Sequence, residues 1–448
     1  MVATELARIV VAAPASGHGK TTVATGLMAA LAGRGLAVSG HKVGPDFIDP
    51  GYHAMATGRP GRNLDPFLVG AQRIVPLLLH GARAADIAVI EGVMGLFDGR
   101  LGTAGEASTA HVAALTRTPV LLVVDISHAS RTHAAAISGL ASFDPSVHIA
   151  GVILNKAGSA RHADEVRDAL IPLGIPVLGV LPRNEGIVTP SRHLGLVPAA
   201  ERAESEQTIG RMAETIAAHV DIDAILDLAR KTEPLPETPW DPSQEIQPPS
   251  EARPVVAVAG GRAFTFRYAE TEDLLRAAGC DVVEFDPLAD AGLPGGTAGI
   301  YLGGGFPEVH AAELAENRCL MGELRSAIDA GVPTVAECAG LLYLCRSLDG
   351  TPMVGAVPTD AVMTPRLTLG YRTAVSATDS LLAEAGRHVT GHEFHRTTIA
   401  ALDGQPAWKL DKGFEGFATP TLHAAYLHIH WAGYPALAEG FARAVHRA

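Results

Sequence analysis

The sequence predicts two α/β domains in tandem, the first a doubly wound parallel sheet that carries a phosphate-binding loop. Three observations lead there. From the start to about residue 200, short apolar runs alternate with stretches of helical spacing. A polar, Pro-rich interruption, ARKTEPLPETPWDPSQEIQPPSEARP, then breaks all periodicity. After it the alternation begins again with PVVAVAGG. Runs of this kind, apolar throughout rather than alternating, are strands covered on both faces, as in parallel sheets flanked by helices. The expected division is residues 1–230, a linker over 231–253, and residues 254–448.

The first strand, ARIVVAA, leads into APASGHGKTT at 13–22. This departs from the G-x-x-x-x-G-K-[ST] loop by one residue, since Pro14 stands where the first glycine belongs. The remaining small residues, with Gly17 and Gly19, let successive backbone N–H groups turn toward one anion. The following helix, TTVATGLMAALAGRG, adds the positive end of its dipole. Lys20 is expected to reach the outer phosphates, Thr22 to line the nucleotide, and the Thr21 hydroxyl to hold Mg²⁺.

The later strands end in chemistry-bearing residues at the sheet's carboxyl edge, where ligands of open α/β sheets bind. IAVIEGV places Glu91 there as a Mg²⁺ ligand. HKVGPDFIDPGYH offers Lys42, Asp46 and Asp49, with Asp46 expected as a further metal ligand and Lys42 as a counter-charge for phosphate or substrate carboxylate. TGRPGRNLDPF carries Arg59 and Arg62, whose guanidinium forks suit carboxylate recognition. The run LPRNEGIVTPSRHLGLVP adds Arg183, Arg192 and His193. Asn155 and Lys156, in GVILNKAG, resemble the Asn-Lys pair that many phosphate-loop proteins set against a purine base.

In the second domain PTVAECAGLLYLC reads as strand, sharp turn and helix with Cys338 at the turn. That geometry exposes a nucleophile at a helix N-terminus. Ala339 would offer its backbone N–H to an oxyanion, with Gly304 and Gly305 of the GGG at 303–305 as a second source of donors. AAYLHIHWAGYP supplies His428 and His430, either of which could serve as base for the thiol with the other orienting it. GHEFH lacks the H-E-x-x-H spacing of a zinc site, because Arg396 occupies the second histidine's place.

Composition narrows the classes. The 448 residues exceed one ordinary core. A net charge of −13 argues against nucleic-acid and anionic-membrane partners. It also requires that any acidic substrate meet locally concentrated Arg and His. Four cysteines without a C-x-x-C pair suggest a reducing compartment. No apolar run reaches membrane-spanning length and no secretory pattern opens the chain. A cytoplasmic protein is expected, with a homodimer left open.

Taken in order, SGHGKTT, HKVGPDFIDPGYH, TGRPGRNLDPF, EGVMGLFDG, SRHLGLV, YLGGGFPE, AECAGLLYL, GHEFH and YLHIHWA resemble the cobyrinic acid a,c-diamide synthase family, including its hydrogenobyrinic acid counterpart. The resemblance runs through nearly the whole chain. It implies a dethiobiotin-synthetase-like domain joined to a class I glutamine amidotransferase domain. It further implies ATP and Mg²⁺ as cofactors, glutamine and a corrinoid polycarboxylate as substrates, and amidation of the a and c acetates through an acyl phosphate. Thr21, Asp46 and Glu91 carry over as metal ligands, Lys20 as the phosphate lysine, Cys338 as the glutaminase nucleophile and His428 as the catalytic histidine. In the wider amidotransferase class a glutamate often sits two residues after that histidine; here the place holds His430. The rivals are the same chemistry on another tetrapyrrole such as nickel sirohydrochlorin, the later cobyric acid synthase, a chromosome-partitioning-type switching ATPase, and a binding protein with an inactive glutaminase. Against the ATPase, its usual early loop lysine is missing before Gly17.

Overall fold

Valine, isoleucine and leucine fill the strand runs of the first half. The computed structural model, which describes residues 3–183, 191–192, 195–196, 205–400 and 404–448, assembles them into one parallel sheet. Its strands are β1 (Arg8–Ala12), β2 (Val38–Val43), β3 (Arg62–Leu64), β4 (Ile87–Glu91), β5 (Val120–Asp125), β6 (Ile149–Ala157) and β7 (Val177–Pro182). Their order is β3-β2-β4-β1-β5-β6-β7, parallel at every pairing. β1 therefore sits between β4 and β5, and the crevice beyond its carboxyl end is where such a sheet accepts a ligand. Helix α1 (Lys20–Gly33) leaves from that edge, and α2 (Asp49–Thr57) follows β2. In β2 and β4 the register sets Lys42 directly beside Glu91. That puts two buried ionisable residues near the ends of two strands that are buried throughout.

The chain forms two compact units, Met1–Trp240 and Asp241–Ala448. The stretch expected to be a plain linker is held down along much of its length. Thr4 and Leu235 exchange backbone hydrogen bonds of 2.8 and 2.9 Å. Trp240 is buried, donates its backbone N–H to Pro76 at 2.8 Å, and meets His80 edge-on at 4.9 Å. Its apolar residues explain the difference. Among prolines and charges, Leu235, Trp240 and Ile246 each find a buried seat.

In the second unit a six-stranded sheet runs in the order Asp281–Phe285, Val255–Ala259, Thr297–Leu302, Thr334–Glu337, Leu422–Ala425, Phe417–Ala418. All pairings are parallel except the last. The strand Thr334–Glu337, which leads to Cys338, lies between two parallel neighbours. Its core gathers Ile300, Leu302, Leu324, Ala336, Leu341 and Leu344. A second sheet is built on a long antiparallel ribbon, Asp360–Ser376 against His388–Ile399. This ribbon carries GHEFH, and its residue His392 exchanges two backbone hydrogen bonds of 2.9 Å with His428.

Candidate active sites

The phosphate loop of the first unit owes its shape to glycine. Gly17 and Gly19 both take positive φ, 86° and 91°. A Cβ on Gly19 would also stand 2.3 Å from the Asn155 amide nitrogen, so this position excludes side chains twice over. Asn155, expected at a purine base, donates its amide N–H to the His18 carbonyl at 2.8 Å. Lys156 bonds the Gly17 carbonyl at 3.1 Å and Asp125 at 2.6 Å, while the Asp125 backbone N–H donates to His18 Nδ1 at 2.9 Å. Asn155, Lys156 and Asp125 thus brace the loop from beneath. Lys20 reaches across it to the Met94 carbonyl at 2.6 Å. Burial, with the charge of Lys42 adding to it, lowers the Lys20 ammonium to about 8. A polyphosphate would reverse that shift by supplying the missing counter-charge.

Beside the loop lies a buried ionic cluster. Thr21 donates to Glu91 Oε1 at 2.6 Å and stands 3.4 Å from Asp49 Oδ2. Lys42 pairs with Asp49 at 2.7 Å and Glu91 at 3.1 Å, and bonds the Gly92 carbonyl at 2.8 Å. His53 Nε2 lies 2.7 Å from Glu91 Oε2. Burial alone would raise the Glu91 carboxyl, but Lys42, His53 and Thr21 hold it well below the usual range. Asp49 is pushed well up by burial and by the neighbouring carboxylates Asp46 and Glu91. That is the signature of a site short of positive charge.

Two expectations change here. Asp46 engages Oδ1 with the backbone N–H groups of Ile48 and Asp49, at 2.8 and 3.0 Å, fixing the start of α2. The carboxylate presented to Thr21 and Glu91 is Asp49. Lys42, expected to face phosphate or substrate, is 3% exposed and neutralises this cluster instead. Its ammonium is raised, the two carboxylates outweighing burial.

Among the described residues no group of three or more His, Cys, Asp or Glu is arranged to hold a metal unaided. Mg²⁺ needs no such group. It takes one or two carboxylates and completes its shell with phosphate oxygens and water. The hard oxygens of Thr21, Glu91 and Asp49, with Asp49 lacking a full counter-charge, fit that demand.

The arginines expected to meet substrate are placed differently. Arg59 donates to the carbonyls of Gly81 and Arg83, at 3.2 and 2.6 Å, where helix Ile74–Gly81 ends. Arg62 packs its stem on Gly81, close to His41. Unsatisfied carbonyls at a helix C-terminus attract guanidinium groups, which explains the difference for Arg59. Arg183 is exposed, and Ser191–Arg192 pairs as a two-residue strand with Gly195–Leu196. His193 lies outside the described residues.

In the second unit Cys338 takes φ 48° and ψ −95° at the junction of strand Thr334–Glu337 and helix Ala339–Leu344. A positive φ on a side-chain-bearing residue is strained, and it persists where the surroundings fix it. Here the Cys338 N–H donates to the Ala425 carbonyl at 2.7 Å and the Gly340 N–H to the Gly303 carbonyl at 3.0 Å. The thiol is 4.0 Å from the Phe394 carbonyl of GHEFH. Burial pushes it well above the usual thiol range, nearby Glu308 adding to this, while the Ala339 backbone N–H aimed at the sulfur works against it. The Ala339 N–H thus lies beside the nucleophile position, where an oxyanion donor was expected. Gly304 offers no such donor, because its N–H already donates to the Phe266 carbonyl at 2.9 Å.

Gly304 has another task. A Cβ there would lie 2.4 Å from His428 Cε1, so the imidazole rests directly on the glycine backbone. The two histidines part company. His428 Nδ1 lies 3.9 Å from Glu337 Oε2, whereas His430 Nε2 is 3.6 Å from Glu270 and its ring stacks on Tyr268 at 4.2 Å. Burial lowers His428 to about 3 and raises Glu337 to about 8. The sequence named Asp49 at the sheet's carboxyl edge without a role, and gave no part to His53, Glu270 or Glu337. His53 closes the quoted HKVGPDFIDPGYH and Glu337 is the E of AECAG, so position within a motif was the available signal.

Comparison with known proteins adds the remaining observation. A CobQ/CobB/MinD/ParA nucleotide-binding domain matches residues 9–197, and a CobB/CobQ-like glutamine amidotransferase domain matches residues 255–436. The chain is 59% identical to a hydrogenobyrinate a,c-diamide synthase of Thermobifida fusca, over 99% of this chain and 98% of that one. The chain belongs to the a,c-diamide synthase family. Identity to the Streptomyces coelicolor hydrogenobyrinate a,c-diamide synthase is 52%, over 97% of this chain and 96% of that one. Identity to a cobyrinate a,c-diamide synthase of Synechococcus is 42%, over 98% of each. An a,c-diamide synthase is a glutamine-dependent, amide-forming ligase, and its nucleotide-binding and amidotransferase domains correspond to the two sites described. No described helix is long and apolar enough to cross a membrane.

Proposed function

We propose that the chain converts the a and c acetate groups of hydrogenobyrinic acid to amides, using ATP and glutamine. The observation that carries the reading is the coexistence, in one chain, of a braced phosphate loop with a carboxylate-threonine cluster and a strained Cys338 elbow with its own histidine. The choice of the metal-free corrinoid follows the higher identity to relatives of that name, 59% and 52% against 42%.

A substrate carboxylate oxygen attacks the γ-phosphorus of ATP, ADP leaves, and an acyl phosphate forms. Such transfers depend on positioning and charge more than on covalent help. Loop N–H groups and Lys20 hold the phosphates, and Asn155 braces the loop that presents them. Mg²⁺, held by Thr21, Glu91 and Asp49 with Asp46 one turn away, would neutralise phosphate charge. Lys42 and His53 fix the carboxylates. In the second unit His428 takes the Cys338 proton, and the thiolate attacks the amide carbon of glutamine. Ala339 steadies the oxyanion, and His428 returns the proton to the departing ammonia. Water hydrolyses the thioester to glutamate. Ammonia then displaces phosphate from the acyl phosphate, leaving the amide.

Arg183, Arg192 and His193 remain the candidates for the substrate's other carboxylates. The free cysteines and the net charge of −13 support a cytoplasmic enzyme without nucleic-acid partners, and a homodimer is compatible with them. The test offers hydrogenobyrinic and cobyrinic acids in parallel with ATP, Mg²⁺ and glutamine, and counts amides by mass spectrometry. Two amides on the metal-free acid at the higher kcat/KM are expected. Preference for the cobalt form would move the assignment to that substrate, and amidation of neither would refute it.

A further inference from the structure

The glutaminase half lacks an orienting acid at the position where the wider class often carries one, because His430 occupies it. His430 does not substitute. It is fully buried, faces Glu270 and lies under Tyr268. The ring of His428 has a different acid on its Nδ1 edge. Glu337, the last residue of the nucleophile strand, places Oε2 3.9 Å away, and both side chains are buried.

Three contacts fix this pair. Tyr301 donates its hydroxyl to Glu337 Oε2 at 3.0 Å. The backbone N–H of Ile429 is also directed at the carboxylate, which registers it to the segment that carries His428. On the ring's other side Gly304 admits the imidazole where a Cβ would fall 2.4 Å from Cε1 and 3.2 Å from Nε2. Nδ1 therefore faces Glu337, and the Nε2 edge lies along the glycine loop whose Gly303 carbonyl receives the Gly340 N–H of the nucleophile helix.

We propose that Glu337 is the positioning residue of glutamine hydrolysis, holding His428 with its proton on Nδ1 so that Nε2 takes the proton of Cys338. The acid comes from the residue before the nucleophile instead of two places after the base. At 3.9 Å the carboxyl faces Nδ1 just beyond hydrogen-bond reach, and catalytic contacts of this kind tighten in the loaded complex. The energetics favour this timing. Burial disfavours the ionised form of Glu337 at rest, and the imidazolium formed when the thiol gives up its proton supplies the counter-charge that favours it. The pair is strongest in the transition state, where stabilisation accelerates the reaction.

The inference rests on Cys338 and His428 as the glutaminase pair, and the experiment separates the two. Steady-state glutamine hydrolysis would be measured on the full chain for wild type, Cys338→Ala, Glu337→Gln, Glu337→Asp and Glu270→Gln. Amidation with ammonium salts would be measured alongside. Glu337→Gln should lower kcat by ~10²–10⁴-fold with KM for glutamine within about threefold of wild type. Glu337→Asp should recover part of the loss, Glu270→Gln should keep kcat, and ammonium-supported amidation should persist in each. Near-normal kcat in Glu337→Gln overturns the proposal, as does a joint loss of glutamine- and ammonium-supported activity in both Glu337 variants. Loss confined to Glu270→Gln also overturns it and assigns the role to His430. Glutamine hydrolysis surviving in Cys338→Ala would instead defeat the underlying reading.

Discussion

The place of Cys338 was legible because a buried strand running into an apolar helix leaves one residue at the turn, and AECAG names it. Its environment was not. Burial raises the thiol, so at pH 7–9 the thiolate fraction falls below that of an ordinary cysteine and grows only as pH climbs further. Iodoacetamide should therefore label exposed Cys319 first, with Cys338 lagging at pH 8 and catching up as pH rises. Faster labelling of Cys338 at neutral pH, read by peptide mass spectrometry, would contradict this. Gly304 carries a second expectation. Gly304→Ala drives a methyl into His428 and should lower glutamine hydrolysis by ~10²-fold or more while ammonium-supported amidation continues. The carboxylates near Thr21 show where residue-level reading ends. Asp46 and Asp49 are alike in sequence, and only the turn into α2 decides which one faces Thr21.

At the scale of elements, alternation of buried runs and helical stretches foretold the parallel sheet, because period and length survive without tertiary information. The residues that tie elements together left no such trace. Arg8 reads as a stray charge at the head of β1, yet it is fully buried. It bonds the carbonyls of Thr116, Leu6 and Glu233 at 2.8–2.9 Å and the Thr232 hydroxyl at 3.0 Å. Arg8→Met should lower unfolding free energy by about 2–4 kcal/mol, since it withdraws a donor from the carbonyls of Thr116, Leu6, Arg117 and Glu233, of which Thr116 and Leu6 keep only a threonine hydroxyl. Chemical denaturation measures it, and a change under about 0.5 kcal/mol would contradict the role. Gly19→Ala, strained at φ 91° and in collision with Asn155, should abolish ATP binding by calorimetry while leaving glutamine hydrolysis intact. The Pro-rich stretch contains the boundary between the two compact units, and composition, which describes a segment's average, left out the single anchors Leu235 and Trp240.

For the molecule as a whole, buried neutral histidines set an acid limit. His41, His423 and His428 each fall to about 3, chiefly through burial. Unfolding returns them to their ordinary value of 6.5, so the unfolded chain binds more protons between pH 6.5 and 3. Stability is full above that window and declines as pH falls through it. The melting temperature should drop steadily below pH 6.5, and a flat profile down to pH 4.5 would show that these rings are protonated in the native state.

The central claim is that ammonia made at Cys338 becomes the amide nitrogen of a carboxylate activated at the phosphate loop. The most direct measurement compares wild type and Cys338→Ala on hydrogenobyrinic acid with ATP and ¹⁵N-amide glutamine or ¹⁵N-ammonium. Mass spectrometry reads the label in the product. Wild type should incorporate nitrogen from either donor, and the variant from ammonium alone. Label passing from glutamine in the variant, or no labelled amide from either donor in wild type, would contradict the account.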